Sequence, residues 1–361
     1  TSTGSIKLDG GVGNLGIYAK GGNLPTGVSN NVTVREIKGS GTKNTVFIYG
    51  SDGAKIKLSD GTLPNGTALS KGATYGLNIS NATVDTDAST SNKKDTGAVF
   101  ATGAGTEISI NKTATLSTTA SPNINITGTK LTDPGTEKYV GFGLMAKNGG
   151  KINAKYNNIS VTNGSTGVAA IGKDSSGNAS EIDLSNSKLT FDGNGYAVYS
   201  DGKGEVDLKD AELNLYGSST AFDVDLGAST LPTKLNSGTK IKVHSDDVVA
   251  FNLKRATGLT TVGGIETSIK SKIETKLGLG SGSLNNLFTG STSTKYKVAA
   301  VDGGEITIGN LDKSGTKDDT DQAKRDGYQY FNRFLAQRLK ATVNGSTIKA
   351  VLSSSFANDN F

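Results

Sequence analysis

The sequence predicts an all-β protein: a right-handed parallel β-helix of three-strand coils, interrupted by short helical excursions. Three observations predict it. A strand–turn–strand unit recurs along the chain, each strand alternates apolar and polar residues, and the composition is rich in glycine but poor in apolar bulk.

The recurrence is the strongest of the three. A short apolar run leads through a glycine-rich turn into an alternating strand that opens on Lys or Glu. Val46–Tyr49 leads through Gly50–Gly53 to Lys55–Leu58, and Ala98–Phe100 through Gly103 and Gly105 to Glu107–Ile110. Leu144–Ala146 leads through Gly149–Gly150 to Lys151–Ala154, Val168–Ile171 to Glu181–Leu184, and Ala197–Tyr199 through Gly202 and Gly204 to Glu205–Leu208. A late copy runs from Val298–Val301 to Glu305–Ile308, and Gly16–Gly22 reads as a degenerate start. A third strand often follows, as at Thr115–Ser117, Ile159–Val161, Lys188–Phe191 and Glu212–Leu215. Unit starts at Gly143, Gly167, Gly195 and Thr220 lie about 24–28 residues apart, the spacing of stacked units in a solenoid.

Alternation supplies the inside and the outside. Ile108 and Ile110 point one way and Glu107 and Ser109 the other, and Val206 and Leu208 oppose Glu205 and Asp207 in the same manner. The turns hold Gly, Asn, Asp and Ser, which accept positive φ and bond their own backbone. Coils stacked at the interstrand spacing of about 4.8 Å, ten to thirteen in number, would make a rod on the order of 50–60 Å long. A β-sandwich also offers short strands, but it does not predict a repeated three-strand unit.

The composition fits a thin core. The chain has 361 residues, of which only 34% are hydrophobic and 6% aromatic, with 49 glycines. A sphere of this length needs more apolar bulk than an elongated rod does. There is no cysteine, which excludes disulfides and thiolate metal sites, and one histidine, which excludes His-rich metal sites. The net charge of +5 comes from 38 basic and 33 acidic residues that are interspersed, with no basic block to suggest nucleic acid. No apolar run reaches the roughly 18 residues of a spanning helix. The chain starts at Thr1 without methionine or leader and reads as a piece of a longer exported protein.

Two stretches break the pattern. From Gly264 to Gly278, Ile265, Ile269, Ile273 and Leu277 recur every fourth residue, which predicts an amphipathic helix. From Asp318 to Lys340, an Asp–Thr–Asp start and the stripe Tyr328, Phe331, Phe334, Leu335, Leu339 predict another, with strands returning at Ala341–Val343 and Ile348–Leu352. The chain thus divides into β-helix coils over 1–263, a helical excursion over 264–290, resumed coils over 291–317, and a helix with terminal strands over 318–361.

No catalytic constellation emerges. Asp246–Asp247 lies near His244, with Asp223 and Asp225 one coil away, which resembles part of a paired-carboxylate hydrolase. The Gly-His-Gly and Arg-Ile-Lys segments that complete the polygalacturonase pattern are missing. Asp246–Asp247 reads better as a turn. His244 alternates with Ile241 and Val243 and is expected to face solvent. Asp-Gly pairs occur without the regular ladder of a calcium-binding nonapeptide repeat. The Asn-X-Ser/Thr triplets read as polar strand faces and turns. No cofactor, no metal and no enzymatic activity are expected. The polar side of the first helix, Lys270, Lys272, Glu274 and Lys276, is the candidate binding projection. The other reading of that helix is a flap whose Ile stripe packs onto the coils.

Gly16–Ile17–Tyr18–Ala19–Lys20–Gly21–Gly22, its echo Gly143–Leu144–Met145–Ala146–Lys147–Asn148–Gly149–Gly150, and the three-strand unit together resemble passenger domains of type V autotransporters, in the style of the large fusobacterial surface adhesins. The resemblance spans roughly residues 1–250 and 295–312. It implies export to the outer-membrane surface or secretion, a carboxy-terminal β-barrel outside this sequence, and binding to a host-cell protein or glycan or to other bacteria. It carries over no catalytic residue, and the Gly-Asp-Ser-Gly of protease passengers is not present. A β-helical polysaccharide lyase or hydrolase, a cytotoxin passenger and a passive stalk are the alternatives.

Overall fold

The structure, a computed structural model, describes residues 5–10, 15–21, 36–40, 45–57, 76–82, 97–110, 124–128, 131–133, 136–138, 142–217, 219–225, 233–245, 248–254, 271, 273–287, 296–300, 306–307, 342–344, 347–349 and 351–354. They are mostly strands in parallel ladders, with almost no helix, in an all-β, β-helix-like arrangement.

The chain visits three ladders in turn. Face I stacks Ser5–Asp9, Glu36–Ser40, Gly76–Ala82, Ile124–Gly128, the first parts of Asn158–Ile171 and Lys188–Ser200, Glu212–Gly217 and Lys240–Val243. Face II stacks Leu15–Lys20, Val46–Ser51, Gly97–Thr102, Phe142–Lys147, the second parts of Asn158–Ile171 and Lys188–Ser200, Thr220–Asp225, Val249–Lys254 and Tyr296–Ala300. Face III stacks Lys55–Lys57, Glu107–Ser109, Lys151–Asn153, Glu181–Asp183, Glu205–Asp207 and Thr233–Lys234. All of these pairings are parallel. Faces I and II form one 16-stranded sheet because two long strands run from one into the other, bending where the register shifts at Gly164. Leu144, Val168, Val198, Phe222 and Phe251 share one register position in successive rungs, 24, 30, 24 and 29 residues apart.

The register stacks like on like. On face III the column is Ile56, Ile108, Ile152, Ile182, Val206; on face I it includes Ile159, Leu189, Leu213, Ile241, beside Val161, Phe191, Leu215, Val243. All of them are buried in one continuous core. Burying an Ile, Leu or Phe stabilises by about 1.5–3 kcal/mol, so each rung adds its own increment.

The corners follow from turn chemistry. Asp52 and Asn148 hold positive φ between faces II and III, and Tyr156, Asn186 and Asp210 hold it between faces III and I. Buried hydroxyls bridge stacked turns. Thr106 Oγ1 accepts the Gly53 N–H (2.9 Å) and donates to the Thr102 carbonyl (2.8 Å). Ser180 Oγ accepts the Gly149 N–H (3.0 Å) and donates to Ile171 (2.7 Å). At the other corner Ser187 Oγ accepts the Asn157 N–H (3.2 Å) and donates to Ala154 (2.8 Å). A Ser or Thr at these positions therefore satisfies turn groups that would otherwise be buried unpaired. Gly143 is required for a different reason: a Cβ there would lie 2.6 Å from the Gly167 carbonyl of the next rung.

Several expectations shift. The third strand of the unit after Glu107–Ser109 is Ile124–Gly128, whereas Thr115–Ser117 lies outside the described residues. The third strand of one unit and the apolar run of the next are single strands of 14 and 13 residues, because glycine lets the backbone bend without a loop. Within 264–290 the described helical residues are only 271 and 273–276, followed by a 3-10 turn at Leu284–Leu287. Ile273, Leu277 and Leu287 are buried in the core, and the Leu235 N–H donates to the Leu277 carbonyl (3.4 Å). This excursion meets the last described rung of face III. Tyr296–Ala300 resumes face II in parallel and is then paired antiparallel by Val351–Ser354. Ile306–Thr307 does not extend face III; it joins Thr342–Asn344 and Thr347–Lys349 in a three-stranded antiparallel sheet. The helix expected over 318–340 lies outside the described residues.

Candidate binding surface

Each face turns alternate side chains away from the core, so the ladder register makes continuous columns on the outside. Three of these columns carry distinct chemistry.

On face III the outer side chains are charged. Glu181 stands in register with Glu205 and Asp183 with Asp207, placing like charges on neighbouring strands. Lysines offset this: Lys151–Glu181 at 2.9 Å, Lys155–Asp183 at 3.1 Å, Lys234–Glu205 at 2.6 Å and Lys209–Asp207 at 3.5 Å. Bonding to Glu205 raises Lys234 above its usual range, and bonding to Asp183 does the same for Lys155. Paired, hydrated charges of this kind keep a face in water and add little stability.

On face I a polar network surrounds the single histidine. Lys188 and Lys242 grip the two oxygens of Glu212 at 3.4 and 2.8 Å. Asn214 Nδ2 donates to Glu212 Oε1 (2.9 Å), which leaves Asn214 Oδ1 to accept from His244 Nε2 (3.0 Å) and places the imidazole proton on Nε2. The imidazole stacks on Tyr216, with ring centroids 4.4 Å apart and planes 11° apart. Burial, together with the Lys242 and Lys188 ammoniums, holds His244 below its usual range against the pull of Glu212. His244 turns outward, as its alternation with the buried Ile241 and Val243 predicts, but it is half-buried, fixed by a stack on Tyr216 that register creates. Asp246 and Asp247 lie outside the described residues. The backbones of Asp223 and Asp225 stand beside Asn252 and Lys254.

On face II the outer column is aromatic. Tyr18, Tyr49, Phe100 and Met145 occupy one register position on four successive rungs. Ring centroids are 5.4 Å apart for Tyr18–Tyr49 and 5.2 Å for Tyr49–Phe100, and Phe142 adds an edge contact to Phe100 at 6.2 Å. Tyr18 is 53% exposed, and Tyr49, Phe100 and Met145 are half-buried. Burial, Tyr18 and Asp52 raise the Tyr49 hydroxyl, so it remains a protonated donor. Lys20 and Asp52 (3.7 Å) flank the stripe as a pair. A line of aromatic edges with a neutralised polar border can bind a ligand that has apolar surface and hydrogen-bonding groups.

The residues singled out from the sequence lie elsewhere. Lys270 and Lys272 are outside the described residues. Glu274, expected on the polar side of its helix, is only 5% exposed, because its Oε2 accepts the Gly282 N–H (3.0 Å) and its carbonyl accepts that of Leu279 (2.8 Å). Lys276 is half-buried. The aromatic stripe was missed because Tyr18, Tyr49 and Phe100 are far apart in sequence; the copies Gly-Ile-Tyr, Phe-Ile-Tyr and Ala-Val-Phe carried the signal.

Among the described residues no His, Asp or Glu cluster could hold a metal ion, and no helix is long and apolar enough to cross a membrane. No protein-family model, curated protein or solved structure matches the chain.

Proposed function

We propose that this chain is a non-catalytic binding segment of a bacterial surface protein, an adhesin passenger of the autotransporter type built from right-handed three-strand coils. Its partner is a host-cell protein or glycan, or another bacterium. The observation that carries the reading is the outward stripe Tyr18–Tyr49–Phe100, held in register on face II, whereas the outer side chains of face III are paired charges. Outward aromatics aligned on a rigid frame, here Tyr18 exposed and Tyr49 and Phe100 half-buried, are the residue type and setting of binding hot spots, since few rotamers are lost when a ligand covers them. The repeat Gly-Ile-Tyr-Ala-Lys and its echo support the family assignment, and the parallel ladders support the coil.

The test is binding of residues 1–361 to intact host cells and to arrays of glycans and receptor ectodomains, beside an assay for polysaccharide turnover. Saturable binding without turnover is expected, weakened tenfold or more by Tyr18→Ser/Tyr49→Ser/Phe100→Ser. Cleavage of a polysaccharide, or no binding at all, would overturn the proposal.

A further inference from the structure

The stripe on face II repeats a pair of side chains from rung to rung. Beside the column Tyr18, Tyr49, Phe100, Met145 runs a second one, Lys20, Ser51, Thr102, Lys147, so an apolar group has a polar neighbour on each rung. Ser51 is buried, Lys20 is exposed, and Thr102 and Lys147 are half-buried. The next position in the aromatic column is Ala169, whose methyl is short and only 2% exposed, so the stripe breaks there. Among the described residues it runs over four rungs.

A site that repeats fits a ligand that repeats at the same interval. Ring centroids follow one another at 5.4 Å for Tyr18–Tyr49 and 5.2 Å for Tyr49–Phe100. An extended peptide laid along the rod does not keep step with them. Its side chains on one face fall about 6.7 Å apart, so by the third ring it is out of phase by about half a rung. A chain of pyranose rings joined through equatorial oxygens does keep step, because each unit is close to one rung in length. The faces of each unit carry C–H groups that pack on aromatic rings, and its rim carries hydroxyls that bond to the polar column.

We infer that the face II stripe takes an extended polysaccharide of equatorially linked pyranose units, laid along the rod with one unit on each of Tyr18, Tyr49, Phe100 and Met145. The inference rests on the reading of this stripe as the binding site and names its ligand class. Contacts are made to ring faces and to spacing, so length and linkage of the saccharide govern affinity more than the identity of its substituents.

Isothermal titration of residues 1–361 tests this with β-1,4-linked glucose and β-1,4-linked N-acetylglucosamine oligomers of increasing length. They run beside α-1,4-linked glucose oligomers, whose axial linkage coils the chain away from a straight column. In the β-1,4 series the dissociation constant is expected to fall about twofold to tenfold for each unit added, the range of one aromatic contact, and to level off at four units. Tyr18→Ala should level off one unit earlier, and Tyr216→Ala, on face I, should match the parent. The parent protein decides first, whether or not a variant folds. Affinity that does not grow with length, equal growth in the α-1,4 series, or no response to any oligomer overturns the inference, as does a Tyr18→Ala variant that still gains from the fourth unit. Its failure is distinct from failure of the binding site. Host-cell binding lost in Tyr18→Ser/Tyr49→Ser/Phe100→Ser, with no response to oligomers, would remove the polysaccharide and keep the stripe. Host-cell binding untouched by that triple substitution would remove the stripe itself.

Discussion

Glu212 shows how much one side chain gains from register. Burial alone would push its carboxyl up, but bonds from Asn214 and Lys242 and the charges of Lys242 and Lys188 hold it down, from 4.5 to about 2. A carboxyl depressed in the folded state contributes stability above its unfolded value and loses it as pH falls through the folded one. The window therefore lies between about pH 4.5 and pH 2. Glu212→Gln is expected to be less stable than the parent at pH 7 and to lose less melting temperature across that window. Thermal melts from pH 7 to pH 2 check this; equal slopes for the two proteins would remove Glu212 from the acid response. Sequence alone does not give this site. Lys188, Glu212 and Lys242 are spread over 55 positions and meet only because Lys188 pairs with Glu212 and Asn214 with Lys242 on consecutive rungs.

At the scale of elements, strands and their order were legible, and lengths and ends were not. Every alternating Glu/Lys–Ile/Val strand read from the sequence between Lys55 and Asp207 is a rung of face III, because period-two burial is a local property. Whether a glycine between two strands makes a loop or a bend is decided by the neighbouring rung, so Gly164 and Gly193 were not readable as interior to single strands. The excursion over 273–287 illustrates the other difficulty. Its Ile273 and Leu277 were read as a stripe that needs burial, and they are buried; what they cover became visible only where Leu235 meets Leu277. Ile273→Ala/Leu277→Ala is expected to cost about 2–5 kcal/mol per site. Amide exchange should then speed up at Thr233–Lys234 and Lys240–Val243 before the inner rungs of residues 142–217 respond. Uniform loss of protection along the whole rod would show that the excursion is not a local cover.

Among the described residues the parallel ladders are close to one-dimensional, since each rung pairs only with its neighbours. An entire coil is then removable. Deleting 168–197 joins Gly167 to Val198, which stood in register with Val168. Asn158–Thr162 then meets Glu212–Tyr216, and Lys151–Asn153 meets Glu205–Asp207, bringing Lys151 opposite Glu205 in place of the like-charged Glu181. Val161 replaces Phe191 above Leu215 in the core column. The shortened chain is expected to fold with an unchanged β signature per residue and a single cooperative melt at lower temperature. A disordered product would mean that the coils are not interchangeable units.

By itself the sequence determined the repeat, the inward face of each strand and the chemistry of the turns, because these depend on residues within a few positions of one another. The tertiary structure decided which side chains meet: the Tyr18–Tyr49–Phe100 stripe and the Glu212–Asn214–His244–Tyr216 network. These depend on interstrand register between residues 24 or more positions apart, as between Leu144 and Val168, and no pattern within a single strand shows which residue of the next rung will stand beside it.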